Sequence, residues 1–156
     1  MPGAIRIRWA IRHDYPLIVE MEERCFERPW DEVEIVEEFK QRNAIPMVAE
    51  YAFSHHIYGY MLYTLHGDRL HLARIAVLPE YRRQGIGSQM VELLQQKLES
   101  QNRPALSAWV DDDNLAAHLF FQSLDFRCNE IRRSHDEYSP DEYLFEHFAS
   151  LEPAAI

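Results

Sequence analysis

Ile75-Ala76-Val77-Leu78-Pro79-Glu80-Tyr81-Arg82-Arg83-Gln84-Gly85-Ile86-Gly87 reads as an apolar strand, a short turn and a glycine-containing helix entrance. A helix entrance leaves four backbone N–H groups without intrahelical partners and carries the positive end of the helix dipole, so it attracts anions. Glycines there let a diphosphate approach the backbone closely. Arg82 and Arg83 add local positive charge to a chain whose net charge is -10. Two other phosphate loops are excluded. A P-loop requires lysine before its Ser/Thr, but Gly87-Ser88 has none; the dinucleotide fingerprint requires a third glycine where Met90 stands.

The elements on either side follow from periodicity. Upstream, Ile5, Ile7 and Trp9 alternate with Arg6 and Arg8, which predicts a strand within 1–10 and lacks the apolar run of a signal peptide. Asp14 before Tyr15-Pro16 reads as a helix N-cap, with Leu17, Ile18, Met21 and Cys25 at helical spacing. Asp31 three residues before Glu34 opens a second helix to about Gln41, with Val33, Val36 and Phe39 expected on its inner side. Met47 to Phe53 and Ile57 to Leu65 form a predicted hairpin, and Leu70 to Leu78 a fourth strand. Downstream, Ile86, Met90, Leu93, Leu94 and Leu98 line a helix to about Ser100. Ala105–Val110 (strand), Asn114–Ser123 (helix), Phe126–Arg132 (strand) and Tyr143–Phe148 (strand) complete the order β-α-α-β-β-β-α-β-α-β-β, a mixed sheet with helices on both faces.

The bulk properties bound what such a domain does. A chain of 156 residues, 47% apolar and 27% charged, suits one domain over 1–150 with a frayed tail at 151–156. Its anionic charge disfavours nucleic acid and anionic membranes and favours a cationic partner. Two cysteines, Cys25 and Cys128, are too few for a disulfide framework, and no apolar stretch reaches membrane-spanning length, so a soluble cytoplasmic protein is expected. The eight histidines show no zinc spacing, and Asp111-Asp112-Asp113 cannot converge on one ion, so no metal is expected.

The loop Arg82-Arg83-Gln84-Gly85-Ile86-Gly87, preceded by Ile75-Ala76-Val77, resembles the acetyl-CoA loop of GNAT N-acetyltransferases. Asn114, Ala117, Phe121 and Phe126 lie where the ribosomal-protein-alanine N-acetyltransferase group carries N-x-x-A-x-x-x-Y-x-x-x-G-F. Cys25-Phe26, Pro29-Trp30 and Ile131-Arg132-Arg133 resemble that group's C-F-x-x-P-W and I-R-R segments. The resemblance implies the GNAT fold: a mixed, splayed sheet of about seven strands flanked by about four helices. It implies acetyl-CoA as cosubstrate, held by the main chain of Ile75, Ala76 and Val77, by Arg82, Arg83, Gln84, Gly85, Ile86, Gly87 and Ser88, and by Asn114, Ala117 and Phe121. The Val77 N–H would serve the thioester oxyanion.

The same resemblance exposes two departures. Phe121 stands where these enzymes place a tyrosine acid, and Trp109 where they place a Glu or His. Releasing thiolate at pH 7 costs only about 2 kcal/mol for a thiol pKa of about 8.5, so the acid is dispensable. Deprotonating an α-amine costs roughly 1 kcal/mol and a lysine roughly 4 to 5, so a site with a weak base suits an α-amine. His71 is the first candidate base, matching a catalytic tyrosine of some eukaryotic relatives and sharing a face with Ala73 and Ile75 by alternation. Tyr138 and His135 correspond to a substrate-loop tyrosine pair. Nine acidic residues between Glu20 and Glu38 face only Arg24 and Arg28, in the helices that flank the acceptor groove of that family. The expected activity is acetyl transfer to an amine, with a protein or peptide N-terminus as the first expected acceptor. A small-molecule amine acceptor and a non-catalytic acyl-CoA sensor or interaction module are the alternatives. Nothing in the sequence sets the oligomeric state.

Overall fold

The computed structural model describes residues 4–150. In chain order the elements are β1 (Ile5–Trp9), α1 (Tyr15–Cys25), α2 (Glu32–Phe39), β2 (Ala44–Tyr51), β3 (Ile57–Leu65), β4 (Arg69–Val77), α3 (Ile86–Ser100), β5 (Ala105–Asp111), α4 (Leu115–Ser123), β6 (Arg127–Arg132) and β7 (Glu142–Phe148). Short 3₁₀ turns at Arg12–Asp14 and Pro79–Tyr81 precede α1 and follow β4. The described strands form a seven-stranded sheet in the order β1-β2-β3-β4-β5-β7-β6; the sequence pattern implied a single mixed sheet but not this order. The sheet is mixed: the β4–β5 pairing is parallel, running from Arg69↔Ala105 to His71↔Ser107, and both strands continue past that ladder. The tail expected at 151–156 lies outside the described residues. Among the described residues, no helix is long and apolar enough to cross a membrane.

The described residues group into two compact units. The first runs through Leu65 and adds Ala73–Val91; the second joins His66–Leu72 to the chain from Glu92 onward.

In the first unit, β1, β2 and β3 pair antiparallel, and Ile18, Met21, Ile35 and Phe39 of the two helices pack on Val48, Ile57, Tyr60, Leu62 and Ala76. Ile57 and Tyr60 are an odd number apart yet share this core. The register explains it: Ala49 pairs with Gly59 but Glu50 pairs with Ile57, so Tyr58 is an extra residue that resets the alternation. The displaced Tyr58 ring stacks on Tyr51 at 5.7 Å and on Tyr81 at 3.6 Å. The α2 capping box is present, with Asp31 accepting from the Glu34 N–H at 2.9 Å, but its inner face differs from the expected one. Ile35 and Phe39, four apart, are buried, whereas Val33 is 65% exposed. Asp14 occupies the N-cap position of α1 without capping it. Its buried carboxylate instead binds the Arg8 guanidinium at 2.8 and 3.0 Å and the Ile11 N–H at 2.8 Å. Burial works to raise its pKa, but these donors outweigh it and hold the carboxyl below its ordinary range.

In the second unit, β5 and β6 flank β7, both antiparallel to it. Helix α4 covers that sheet through an aromatic cluster. Phe121 contacts Phe126 and Phe145 at centroid distances of 5.0 and 6.1 Å, and His118 meets Tyr143 and Phe145 edge-on. Helix α4 ends where the Phe126 N–H returns to the Phe121 carbonyl at 3.1 Å, which requires a left-handed residue between them. Asp125, φ 65°, supplies it at the position where the resembling pattern carries glycine.

Gly59 packs tightly on the face opposite Tyr60: an added Cβ would lie 2.7 Å from the Ala76 carbonyl oxygen and 3.3 Å from Met90 Cε and Val77 Cγ2. Backbone cannot yield cheaply, so Gly59→Ala is expected to destabilise the protein by about 1–3 kcal/mol, the usual range for overpacking. A fall in the urea and thermal midpoints checks this, and unchanged midpoints would refute the close approach.

Candidate functional site

The glycine-containing loop lies wholly in the first unit. After β4, the 3₁₀ turn Pro79–Tyr81 is closed by the Tyr81 N–H on Leu78 O at 2.9 Å, and its Tyr81 ring is fixed by the stack on Tyr58. Arg82 is extended and donates from Nε to the Val77 carbonyl at 2.9 Å. Arg83 and Gly85 then take φ values of 64° and 78°. Left-handed backbone costs a non-glycine residue about 1–2 kcal/mol, so Arg83 is held there by its surroundings. Nothing lies within 4 Å of a Cβ placed on Gly85. Its backbone angle, not crowding, therefore selects glycine, and the space above it is open. The Gly85 carbonyl accepts the Gln89 N–H at 3.0 Å as α3 begins, and buried Ile86 anchors the first turn. Two left-handed residues leading into a helix start turn successive N–H groups toward one concavity, the geometry that receives anions.

Strand β4 and the turn between α1 and α2 are tied together in the same unit. Glu22 of α1 is fully buried and accepts from Arg74 Nε at 3.1 Å, Arg74 NH2 at 2.6 Å, the Trp30 N–H at 2.8 Å and the Tyr60 hydroxyl. Burial, together with the adjacent Glu22 charge, pushes the Tyr60 hydroxyl pKa far up, so the phenol stays protonated and donates. The Arg74 guanidinium lies 3.8 Å from the Phe26 ring centroid and 4.5 Å from that of Trp30, and NH2 also reaches the Arg28 carbonyl at 3.1 Å. Cys25, next to this turn, donates its thiol to the Val77 carbonyl at 3.6 Å; burial raises its pKa, so it is a thiol and not a nucleophilic thiolate.

The second unit holds the remaining candidates. His71 Nδ1 lies 2.8 Å from the hydroxyl of fully buried Ser107. Burial lowers the His71 pKa to about 4, aided by its basic neighbours His66, Arg69 and Arg132, so the ring is neutral at pH 7. Trp109, two residues after Ser107 on β5, carries the Arg132 guanidinium 4.2 Å from its centroid, and Arg132 also binds Glu142 at 2.7 Å. Asn114 is the N-cap of α4, its Oδ1 accepting the Ala117 N–H at 3.1 Å. Phe121 is 4% exposed inside the aromatic cluster. Tyr138 is 88% exposed in the β6–β7 loop, where Asp136 accepts the N–H groups of Tyr138 and Ser139 at 2.9 and 2.6 Å; His135, also exposed, shares that loop. Among the described residues, no group of three or more His, Cys, Asp or Glu is placed to hold a metal ion.

Thus Ile75–Val77 and Arg82–Ser88 form one continuous structure, and His71 joins Ser107 within the second unit. Arg74, Glu22, Tyr60 and Ser107 escaped the sequence reading. A signal existed for two of them: Glu22 sits on the apolar stripe Ile18-Met21-Cys25, and Arg74 interrupts an apolar strand.

A model described as "Acetyltransferase (GNAT) family" matches residues 15–126. The chain belongs to the GNAT acetyltransferase family. Members of this family use acetyl-CoA. The [Ribosomal protein bS18]-alanine N-acetyltransferase of Escherichia coli (strain K12) is 38% identical to it over 68 residues. That match covers 44% of this chain and 46% of the relative, so it spans about half the length of the relative. The crystal structure of the ribosomal-protein-S18-alanine N-acetyltransferase from Escherichia coli superposes with a TM-score of 0.83 at 23% identity, covering 97% of this chain and 98% of the other. A GNAT family acetyltransferase from Elizabethkingia anophelis, crystallised with acetyl-CoA bound, gives a TM-score of 0.74 at 19% identity over 93% of this chain and 98% of its own. These two likenesses show the GNAT fold.

A histidine whose folded pKa lies below its unfolded value of about 6.5 stabilises the fold fully above that value and progressively less as pH falls toward about 4. Thermal midpoints measured from pH 7 to pH 4 should therefore fall more steeply for the wild-type protein than for His71→Gln, which retains a polar partner for Ser107. Asp14 and Glu50, also held below their ordinary range, contribute acid sensitivity equally to both proteins. Parallel curves would show that His71 is not buried neutral.

Proposed function

We propose that this chain is an acetyl-CoA-dependent N-acetyltransferase whose acceptor is the α-amine of a protein or peptide. The observation that carries the reading is the loop from Arg82 to Ser88, where left-handed Arg83 and Gly85 lead into the start of α3 and the space beside Gly85 is open. These residues fit the diphosphate of the cosubstrate: the backbone N–H groups and the Arg82 and Arg83 side chains supply donors and positive charge. Bound there, acetyl-CoA supplies an activated acyl carbonyl.

The chain's own groups then have definable tasks. The Leu78 N–H bonds the Tyr58 carbonyl at 2.9 Å, so strand alternation turns the Val77 main chain to the edge of β4 away from β3. In this reading the Ile75 main chain on that edge pairs with an extended ligand arm and the Val77 N–H serves a developing oxyanion, while Ala76, which turns its carbonyl toward β3, and the Val77 carbonyl, which accepts from Arg82 and Cys25, hold the strand in place. The cap on Ala117 uses only the Asn114 oxygen, which leaves its amide N–H donors for a ligand, with Ala117 and Phe121 supporting the helix that presents it.

The state of His71 bears on the acceptor. A group with pKa about 4 accepts a proton poorly from a substituted ammonium, so the amine must arrive largely deprotonated. That costs roughly 1 kcal/mol for an α-amine and 4 to 5 for lysine at pH 7. His71 in this reading accepts a proton transiently, directly or through water, with Tyr138 and His135 as the alternative candidates. The nine acidic residues between Glu20 and Glu38 draw a cationic amino terminus. The name of the curated relative, an alanine N-acetyltransferase acting on a ribosomal protein, supports a protein N-terminus over a small amine. The two free thiols, Cys25 and Cys128, suit a reducing cytoplasm.

A second reading, a CoA-binding module without catalysis, is favoured by Trp109 lying under Arg132 and Phe121 buried among rings where relatives carry catalytic groups. Incubation of the protein with acetyl-CoA and a peptide library varied at the first residue, followed by mass spectrometry and thiol release, separates the two. Acetylation at the α-amine is expected, with a rate that rises with pH to a plateau at an apparent pKa near 8, set by the amine. CoA binding with no transfer to any peptide or small amine would sink the enzyme reading. Gly85→Glu, which places a branched carboxylate at φ 78°, should weaken CoA binding by at least tenfold in calorimetry; unaltered affinity would reject the loop as the site.

A further inference from the structure

Resting on the N-acetyltransferase reading above, we propose that Arg74 is a positioning residue that sets acceptor affinity by holding the turn between α1 and α2 in one conformation. The turn from Phe26 to Asp31 has no regular secondary structure and sits amid the acidic segment that draws a cationic amine. One guanidinium engages it in three ways. It stacks on Phe26 and Trp30, bonds the Arg28 carbonyl, and grips Glu22, whose other oxygen contacts fix the Trp30 N–H and the Tyr60 hydroxyl.

The strand end of this clamp is equally telling. Arg74 directly precedes Ile75–Val77, so the side chain that fixes the turn is anchored on the strand assigned to the cosubstrate. Distance between acceptor and acyl group is then set by a rigid element on one side and a clamped turn on the other, and misplacement by about 1 Å suffices to slow a transfer strongly. Lysine is no substitute. A single ammonium cannot fork to both Glu22 oxygens, reach Arg28 O and present a flat cation to two rings together. Arg74 touches none of the loop residues 83–88 through its contacts, so its effect falls on the acceptor and not on the cosubstrate.

The test uses the full chain carrying Arg74→Gln or Arg74→Lys, with the best acceptor peptide from the library above. Arg74→Gln should raise the acceptor KM at least tenfold while the acetyl-CoA KM stays within twofold, and Arg74→Lys should fall between it and wild type. Hydrogen exchange should accelerate in the segment 26–31 in both variants and remain unaltered in the segment 82–88. A merely structural residue would lower Tm without shifting the acceptor KM below the melting range. An unchanged acceptor KM in either folded variant, or an acetyl-CoA KM that rises in parallel, overturns the proposal; if Arg74→Gln does not fold, Arg74→Lys decides it. A wild-type protein that transfers to no acceptor rejects the parent reading and the acceptor claim with it. Exchange in the segment 26–31 then still supports or overturns the clamp.

Discussion

A carboxylate with no exposed surface must be satisfied by donors or it destabilises the fold that buries it, and Glu22 is such a group. Its satisfaction draws on three separate pieces of chain: the guanidinium of β4, the hydroxyl of Tyr60 on β3 and the main chain of Trp30. Each donor fixes the other two. The position of α1 on the sheet, the course of the turn after it and the side-chain geometry of β4 are therefore one arrangement. An apolar residue at this position would bury as well but would leave the turn without a reason to adopt a single path.

The elements legible in the sequence are those whose signal is local and repeated. Ile86, Met90, Leu94 and Leu98 recur at helical spacing, and all four are buried. Asp31 and Glu34 form the reciprocal box their spacing implies. Local signals misled where a distant group competed. Asp14 has the identity and position of a helix cap, but a guanidinium from β1 offers it two charged hydrogen bonds. In α2 the i, i+3 series from Val33 drifts around the helix, and the i, i+4 pair Ile35 and Phe39 faces the core instead.

The candidate site divides the same way. The loop from Arg82 to Ser88 is contiguous, and glycine marks its position 85, where φ is 78°, so it can be read from a short stretch. Arg83, which adopts similar backbone without being glycine, carries no such mark. His71 and Ser107 are 36 residues apart and meet because β4 and β5 pair in parallel with those two residues in register. No spacing rule delivers that contact, and the low pKa that burial imposes on the ring changes the chemical meaning of the histidine. The family resemblance supplied the positions of Trp109 and Phe121; the structure adds what occupies them, a stacked cation and an aromatic core.

The extra residue at Tyr58 began as a local irregularity that keeps Ile57 and Tyr60 on one face. It also throws a ring out of the hairpin and onto Tyr81, the residue before Arg82. The approach to the loop is thereby pre-organised: its entropy of ordering is surrendered when the chain folds and not when a ligand arrives. A register fault in one hairpin thus serves as the abutment on which a neighbouring loop is braced.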